Sequence, residues 1–265
     1  MRSLSGLTKD TRLCFLACGA LLLATYGCGR SPPDLAHVKA QDNRNMLLVV
    51  MGGNNSCHQD AQGRASSPYG LNMYAPFSHL VDELKSTEGR SLDFVLTCHN
   101  DDAVVHTVTS DDPQHLVDMD LDQVAPRIEA FAQTRQDAHI FIAGHSYGGW
   151  LAMKVVLALD HRIKVDDLYT IDPISRVDCS PSKPFGCQSA PTDITADGRQ
   201  ALVDWTGRWT NFWEVRTFYL HSAAIHEADE NVEEFTTHFD IDTSADVWTH
   251  ISQAVKADAL TIASR

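Results

Sequence analysis

From Asn45 onward, apolar runs alternate with apolar positions at helical spacing. Met46–Met51 is a continuous apolar run stopped by Gly52-Gly53, the pattern of a strand buried on both faces. Phe77, Leu80, Val81 and Leu84 then recur at helical spacing, with Pro76 suited to the first helical residue. Leu92–Thr97 reads as a second strand and the polar, acidic stretch after it as a loop. Val124, Ile128 and Phe131 mark a helix beginning near Pro126. Ala138–Ala143 predicts a third strand, and Leu151, Ala152, Val155, Val156 and Leu159 a strongly periodic helix. Leu168–Ile171 is a short fourth strand. Residues 174–210 carry no regular pattern, and a last helix starts near Ser244 with Val247, Ile251 and Val255 on its buried face. Strands separated by helices imply parallel pairing through right-handed crossovers, hence an α/β sheet covered on both faces. Functional groups in such sheets gather at the carboxyl ends of the strands.

The first 44 residues follow a different logic. Arg2, Lys9 and Arg12 precede the mostly apolar Leu13–Tyr26. That run of about 14 residues is short of the ~20 that a spanning helix needs and suits a secretory signal over residues 1–27. Gly27-Cys28, with Ala24 and Thr25 just upstream, resembles the cleavage box of bacterial lipoproteins, in which the cysteine is lipidated. Thr25 stands where leucine is usual, and plain signal cleavage is the competing reading. Residues 28–44 read as a polar tether.

Composition narrows the classes. The chain has 265 residues, is 43% hydrophobic and 21% charged, and shows no repeat, which excludes disordered, collagen-like and coiled-coil proteins. A formal charge of −14 argues against nucleic acid as a partner and against tight adhesion to an anionic membrane, so an N-terminal lipid would have to supply any attachment. Beyond the signal and Cys28, the cysteines are Cys57, Cys98, Cys179 and Cys187. An even number in an exported chain favours two disulfides, Cys179 pairing with its neighbour Cys187 and Cys57 with Cys98. Free thiols, or zinc held by Cys57-His58 and Cys98-His99, are the alternatives for the second pair.

The chemistry centres on Gly144-His145-Ser146-Tyr147-Gly148-Gly149, which follows an apolar strand and opens a periodic helix. That is the setting of a nucleophile elbow, where small residues at 144 and 148 leave room for a strained serine. A serine nucleophile needs a base, and the base needs an orienting acid. Asp172, directly after the strand Leu168–Ile171, is the acid candidate; Asp178 and Asp193 follow no clear strand. Of the later histidines, His250 lies inside the last helix, and His221 and His226 follow no strand-to-loop junction. His238 stands in a loop just ahead of the last helix and is the base candidate. Backbone N–H groups of Tyr147 and Asn54 are the oxyanion-hole candidates, because Gly52-Gly53 lets the main chain approach a substrate carbonyl.

On these motifs, residues 45–262 resemble the α/β-hydrolase superfamily, of the lipase, esterase and thioesterase kind. The resemblance implies a mainly parallel central sheet flanked by helices. This sequence departs from it in that strands before Met46 are missing or very short, so reduced N-terminal strands and a smaller sheet than the family's are expected. The resemblance also implies a lid within 174–210, where Trp205 and Trp209 either cover substrate or close the core. By the same resemblance the activity would be hydrolysis of a small-molecule or lipid ester or thioester, through an acyl-enzyme and with neither cofactor nor metal. The lipoprotein-type N-terminus would place it in the cell envelope. The competing reading is a non-catalytic envelope lipoprotein that uses the scaffold for binding.

Overall fold

The chain divides into two units, Met1–Pro32 and Pro33–Arg265, and the fold described is that of the second. The computed structural model describes residues 45–54, 56–57, 73–88, 92–99, 104–135, 137–179 and 187–263. The signal segment, Cys28 and the tether lie outside the described residues.

Eight strands form one sheet in the order β4-β3-β2-β1-β5-β6-β7-β8. They are β1 (Met46–Asn54), β2 (Asp93–His99), β3 (Val104–Thr109), β4 (Asp112–Asp120), β5 (His139–His145), β6 (Val165–Ile171), β7 (Thr206–Glu214) and β8 (Glu230–Glu234). Pairing is parallel from β2 through β1, β5, β6 and β7 to β8, and antiparallel at β2–β3 and β3–β4. The helices are α1 (Tyr74–Glu88), α2 (Val124–Thr134), α3 (Tyr147–Ala158), α4 (Ala196–Trp205) and α5 (Ala245–Ala263). None among the described residues is long and apolar enough to cross a membrane.

The continuous apolar run of β1 is explained by what covers it. Met46, Leu48 and Val50 face the layer that holds Phe77 and Leu80 of α1 and Ile251 of α5. Leu47, Val49 and Met51 face the opposite layer, with Ile128 of α2, Val155 of α3 and Leu202 of α4. Each fully buried aliphatic side chain contributes about 1.5–3 kcal/mol, and the central strands carry one on both faces at nearly every position.

Several elements depart from the pattern read along the sequence. Residues 104–120, read as loop, form the β3–β4 hairpin. Its β-branched run Val104–Thr109 pairs with β2, while the outer strand carries Asp112, Asp118 and Asp120, charges that keep an edge strand from pairing with another chain. With this hairpin the sheet reaches eight strands and is not the small one expected. The stretch 174–210 is not without regular structure either: α4 and the start of β7 occupy 196–210, as a crossover and a strand of the sheet. Trp209 is fully buried and Trp205 half-buried against the same layer, so both close the core. Finally, α1 starts at Tyr74, two residues ahead of Pro76, which still sits in the first turn, where its missing N–H has no intrahelical role.

Both expected disulfides are present, Cys57–Cys98 and Cys179–Cys187. The sulfurs of Cys57 and Cys98 are thereby committed to each other and cannot serve as zinc thiolates.

Candidate active site

Ser146 lies between the end of β5 and the start of α3, with φ 55° and ψ −125°. Such a backbone is strained for a residue with a side chain and persists only where the surroundings enforce it. The close packing around the turn does so. A Cβ on Gly148 would sit 2.1 Å from the Met51 carbonyl oxygen, and one on Gly144 would sit 2.3 Å from that of Gly148. The Ser146 N–H donates to the Ile171 carbonyl at 2.9 Å, and its own carbonyl accepts from Ile174 at 3.0 Å. The serine is thus tied to the end of β6, and its side chain stands at the N-terminus of α3, where the helix dipole favours negative charge.

The structure brings Ser146, His238 and Asp172 together from three separate stretches. His238 Nε2 is 2.9 Å from Ser146 Oγ, and His238 Nδ1 is 2.6 Å from Asp172 Oδ2. A carboxylate only accepts, so Nδ1 carries a proton and Nε2 of the neutral ring is the acceptor for the serine hydroxyl. All three residues are shielded from water: Ser146 is 8% exposed, His238 2% and Asp172 0%. Low polarity around the group strengthens each of these bonds.

Further residues hold the group in place, and sequence reading missed them. Asp172 Oδ1 accepts backbone N–H groups of Ser222 at 2.7 Å and Glu214 at 3.3 Å, which fixes the carboxylate plane. The buried Glu214 carboxylate accepts the N–H groups of Arg216 and Thr217, so the turn after β7 is wound around it. Thr217 Oγ1 in turn accepts the His238 N–H at 2.9 Å. The sequence carries no signal for these roles, because they are set by the turn after β7, a strand whose buried Thr210, Asn211 and Glu214 break its apolar pattern.

Gly53 packs directly on the serine: a Cβ there would lie 2.8 Å from Ser146 Cβ and 3.4 Å from its Oγ. The main chain at Gly53 therefore runs beside the Ser146 side chain. The segment that follows is pinned to the end of β2 by the Ser56 N–H donating to the His99 carbonyl at 3.2 Å, by Ser56 Oγ accepting the His99 N–H at 3.2 Å, and by the Cys57–Cys98 bond. The side chain of Asn54 engages the His99 ring, Oδ1 to Nδ1 at 3.3 Å. Tyr147, the first residue of α3, has its ring against the His99 ring and within reach of the Arg176 guanidinium. The other histidines considered are elsewhere: His221 bonds through Nδ1 to the Ser222 carbonyl, and the His250 ring packs edge-on against Phe212 in reach of Glu230.

His145, named within the motif but given no role by the sequence, is buried against His238, with its Nε2 2.9 Å from the His238 carbonyl oxygen and ring centroids 4.8 Å apart. Burial, reinforced by the neighbouring His238, pushes its pKa well below the usual 6.5, against a smaller upward pull from that carbonyl.

No protein-family model and no curated protein matches the sequence. Among solved structures, the ydeN gene product of Bacillus subtilis is similar at 9% identity and TM-score 0.43, over 80% of this chain and 99% of that one. An uncharacterized Bacillus cereus protein is similar at 10% identity and TM-score 0.42, over 94% of this chain and 70% of that one. A protein of unknown function from Agrobacterium tumefaciens, described as a candidate α/β hydrolase, is similar at 9% identity and TM-score 0.40, over 82% and 88%. The chain's own topology is what decides: a mostly parallel sheet covered on both faces, with a positive-φ serine in a strand–turn–helix elbow and an acid and a histidine converging on it, is the α/β-hydrolase fold.

Proposed function

We propose that this chain is a serine hydrolase of carboxylic esters or thioesters that works through an acyl-enzyme on Ser146. The observation that supports this reading is the continuous hydrogen-bonded path from Asp172 through His238 to Ser146, at 2.6 and 2.9 Å. His238 Nε2 takes the hydroxyl proton as Oγ attacks the substrate carbonyl, and Asp172 stabilises the imidazolium that forms. The oxyanion is met by the N–H of Tyr147 at the helix N-terminus and by the N–H of Asn54, which follows the glycine packed on the serine. Loss of one such donor costs about 3–4 kcal/mol of transition-state stabilisation. The imidazolium then protonates the leaving alcohol or thiol, and water activated by the same ring frees Ser146.

The substrate in this proposal is a small-molecule or lipid ester. The disulfides indicate an oxidising, exported setting. Attachment to the cell envelope through a lipidated Cys28 completes the reading, and mass spectrometry of the N-terminal peptide from membranes tests it: a lipid-modified Cys28 is expected, and an unmodified peptide overturns the anchor. For the reaction, the test is a panel of p-nitrophenyl esters and acyl thioesters of rising chain length. Turnover that disappears in Ser146→Ala is expected; a chain that cleaves none of them overturns the proposal.

A further inference from the structure

The residue directly before the nucleophile does more than space the motif. His145 ends β5 and is 5% exposed, with its ring tilted against that of His238. Its Nε2 lies 2.9 Å from the His238 carbonyl oxygen, and its Nδ1 lies 3.5 Å from Asp242 Oδ2. A carbonyl oxygen only accepts, so the bond requires a proton on Nε2 of His145. Asp242 belongs to the short 3-10 turn Ile241–Thr243, whose backbone is fastened to the last helix by Trp248 Nε1 donating to the Asp242 carbonyl at 2.7 Å. Ser146 and His145 are consecutive, the first in the elbow and the second at the end of β5. A bond from the second to the backbone of His238 therefore sets the distance between the hydroxyl and the imidazole through a single short linkage.

We infer that His145 is a positioning residue, whose Nε2–H clamps the His238 loop to the end of the strand that leads into Ser146. The inference rests on the proposed reaction. Within that reaction the clamp must also be uncharged, because a second cation 4.8 Å from His238 would oppose the imidazolium formed during proton transfer. The depressed pKa of His145 keeps it neutral where its partner must charge.

Two substitutions of similar polarity separate positioning from packing. In His145→Gln the amide nitrogen stands two bonds beyond Cγ, as Nε2 does, and reaches the His238 carbonyl. In His145→Asn it stands one bond beyond and does not. The readouts are kcat and KM on a turned-over ester, the rate of covalent labelling by a fluorophosphonate, and the thermal midpoint. Displacing a reacting group by about 1 Å costs roughly 100-fold in rate, so His145→Asn is expected to lower kcat and the labelling rate ~10- to 100-fold with KM nearly unchanged. His145→Gln is expected to stay within ~3-fold of the parent. Equal losses in the two variants, or none in either, overturn the inference while leaving the reaction intact. A parent chain that neither turns over nor labels overturns the reaction itself. Should His145→Asn not fold, long-range ¹⁵N–¹H NMR of the parent decides: a proton on Nε2 of His145 is required, and one on Nδ1 overturns the clamp.

Discussion

Replacing Asp172 by asparagine isolates the role of the carboxylate, because the structure dictates how the new amide must sit. Oδ1 of Asp172 accepts two backbone N–H groups, from Ser222 and Glu214, while Oδ2 accepts from His238. In Asp172→Asn the amide oxygen has to remain with the two backbone donors, since turning the NH₂ toward them would bury donor against donor. The NH₂ then faces His238 Nδ1 and donates to it. That places the ring proton on Nε2, where it confronts the serine hydroxyl and removes the acceptor the reaction needs. A wrong tautomer in an otherwise intact triad costs about 10⁴ in kcat, or about 5.5 kcal/mol of barrier. The two backbone bonds lose only their charge assistance, so stability falls by about 1–3 kcal/mol. The assay is kcat on a turned-over p-nitrophenyl ester, read beside thermal unfolding. Asp172→Ala is the control: it strands the buried N–H groups of Ser222 and Glu214, each at about 1–3 kcal/mol, and unfolds at lower temperature than Asp172→Asn. A folded Asp172→Asn variant with kcat within tenfold of the parent would refute the tautomer argument.

Gly53→Ala is expected to lower kcat by roughly 100-fold, since the new Cβ would press on Ser146 Cβ and the His145 carbonyl; steady-state kinetics check it. The Cys57→Ser/Cys98→Ser double variant loses about 4 kcal/mol of stability by loop entropy for a closed loop of this length. It also loses kcat as the Gly52-Gly53 segment is released from β2, to be read by denaturant titration and ester turnover. Acidification should destabilise the fold through His145. Its pKa is depressed when folded, so below about 6.5 the unfolded chain binds a proton that the folded one refuses, and stability falls with pH until the folded value is reached. The contribution has a limiting slope of about 1.4 kcal/mol per pH unit, and denaturant titrations between pH 7 and 5 should show a shallower slope in His145→Gln.

What could be read from the chain follows from where apolar periodicity coincides with structure. β1, β5 and α3 lie between two packed layers, so their apolar residues form unbroken or strongly periodic runs. Edge elements hide: β4 and β8 are rich in Asp and Glu because they face water, and β7 hides because Thr210, Asn211 and Glu214 are buried in hydrogen bonds rather than in apolar contact. The same division holds at the site. Ser146 is announced by the steric needs of its turn, and Asp172 and His238 by their places after a strand and before the last helix. Glu214, Thr217 and Ser222 act through backbone groups of turns, which leave no residue signature. His145 was visible only as the middle of Gly-His-Ser, since its function depends on a loop 93 residues away.

The central claim is that Asp172, His238 and Ser146 form one working proton path, and fluorophosphonate labelling with peptide mapping tests it most directly. The expected result is a single adduct on Ser146 whose formation slows by orders of magnitude in His238→Ala and stops in Ser146→Ala. An unlabelled chain, an adduct on another residue, or labelling of Ser146 at an unchanged rate without the imidazole would contradict the account.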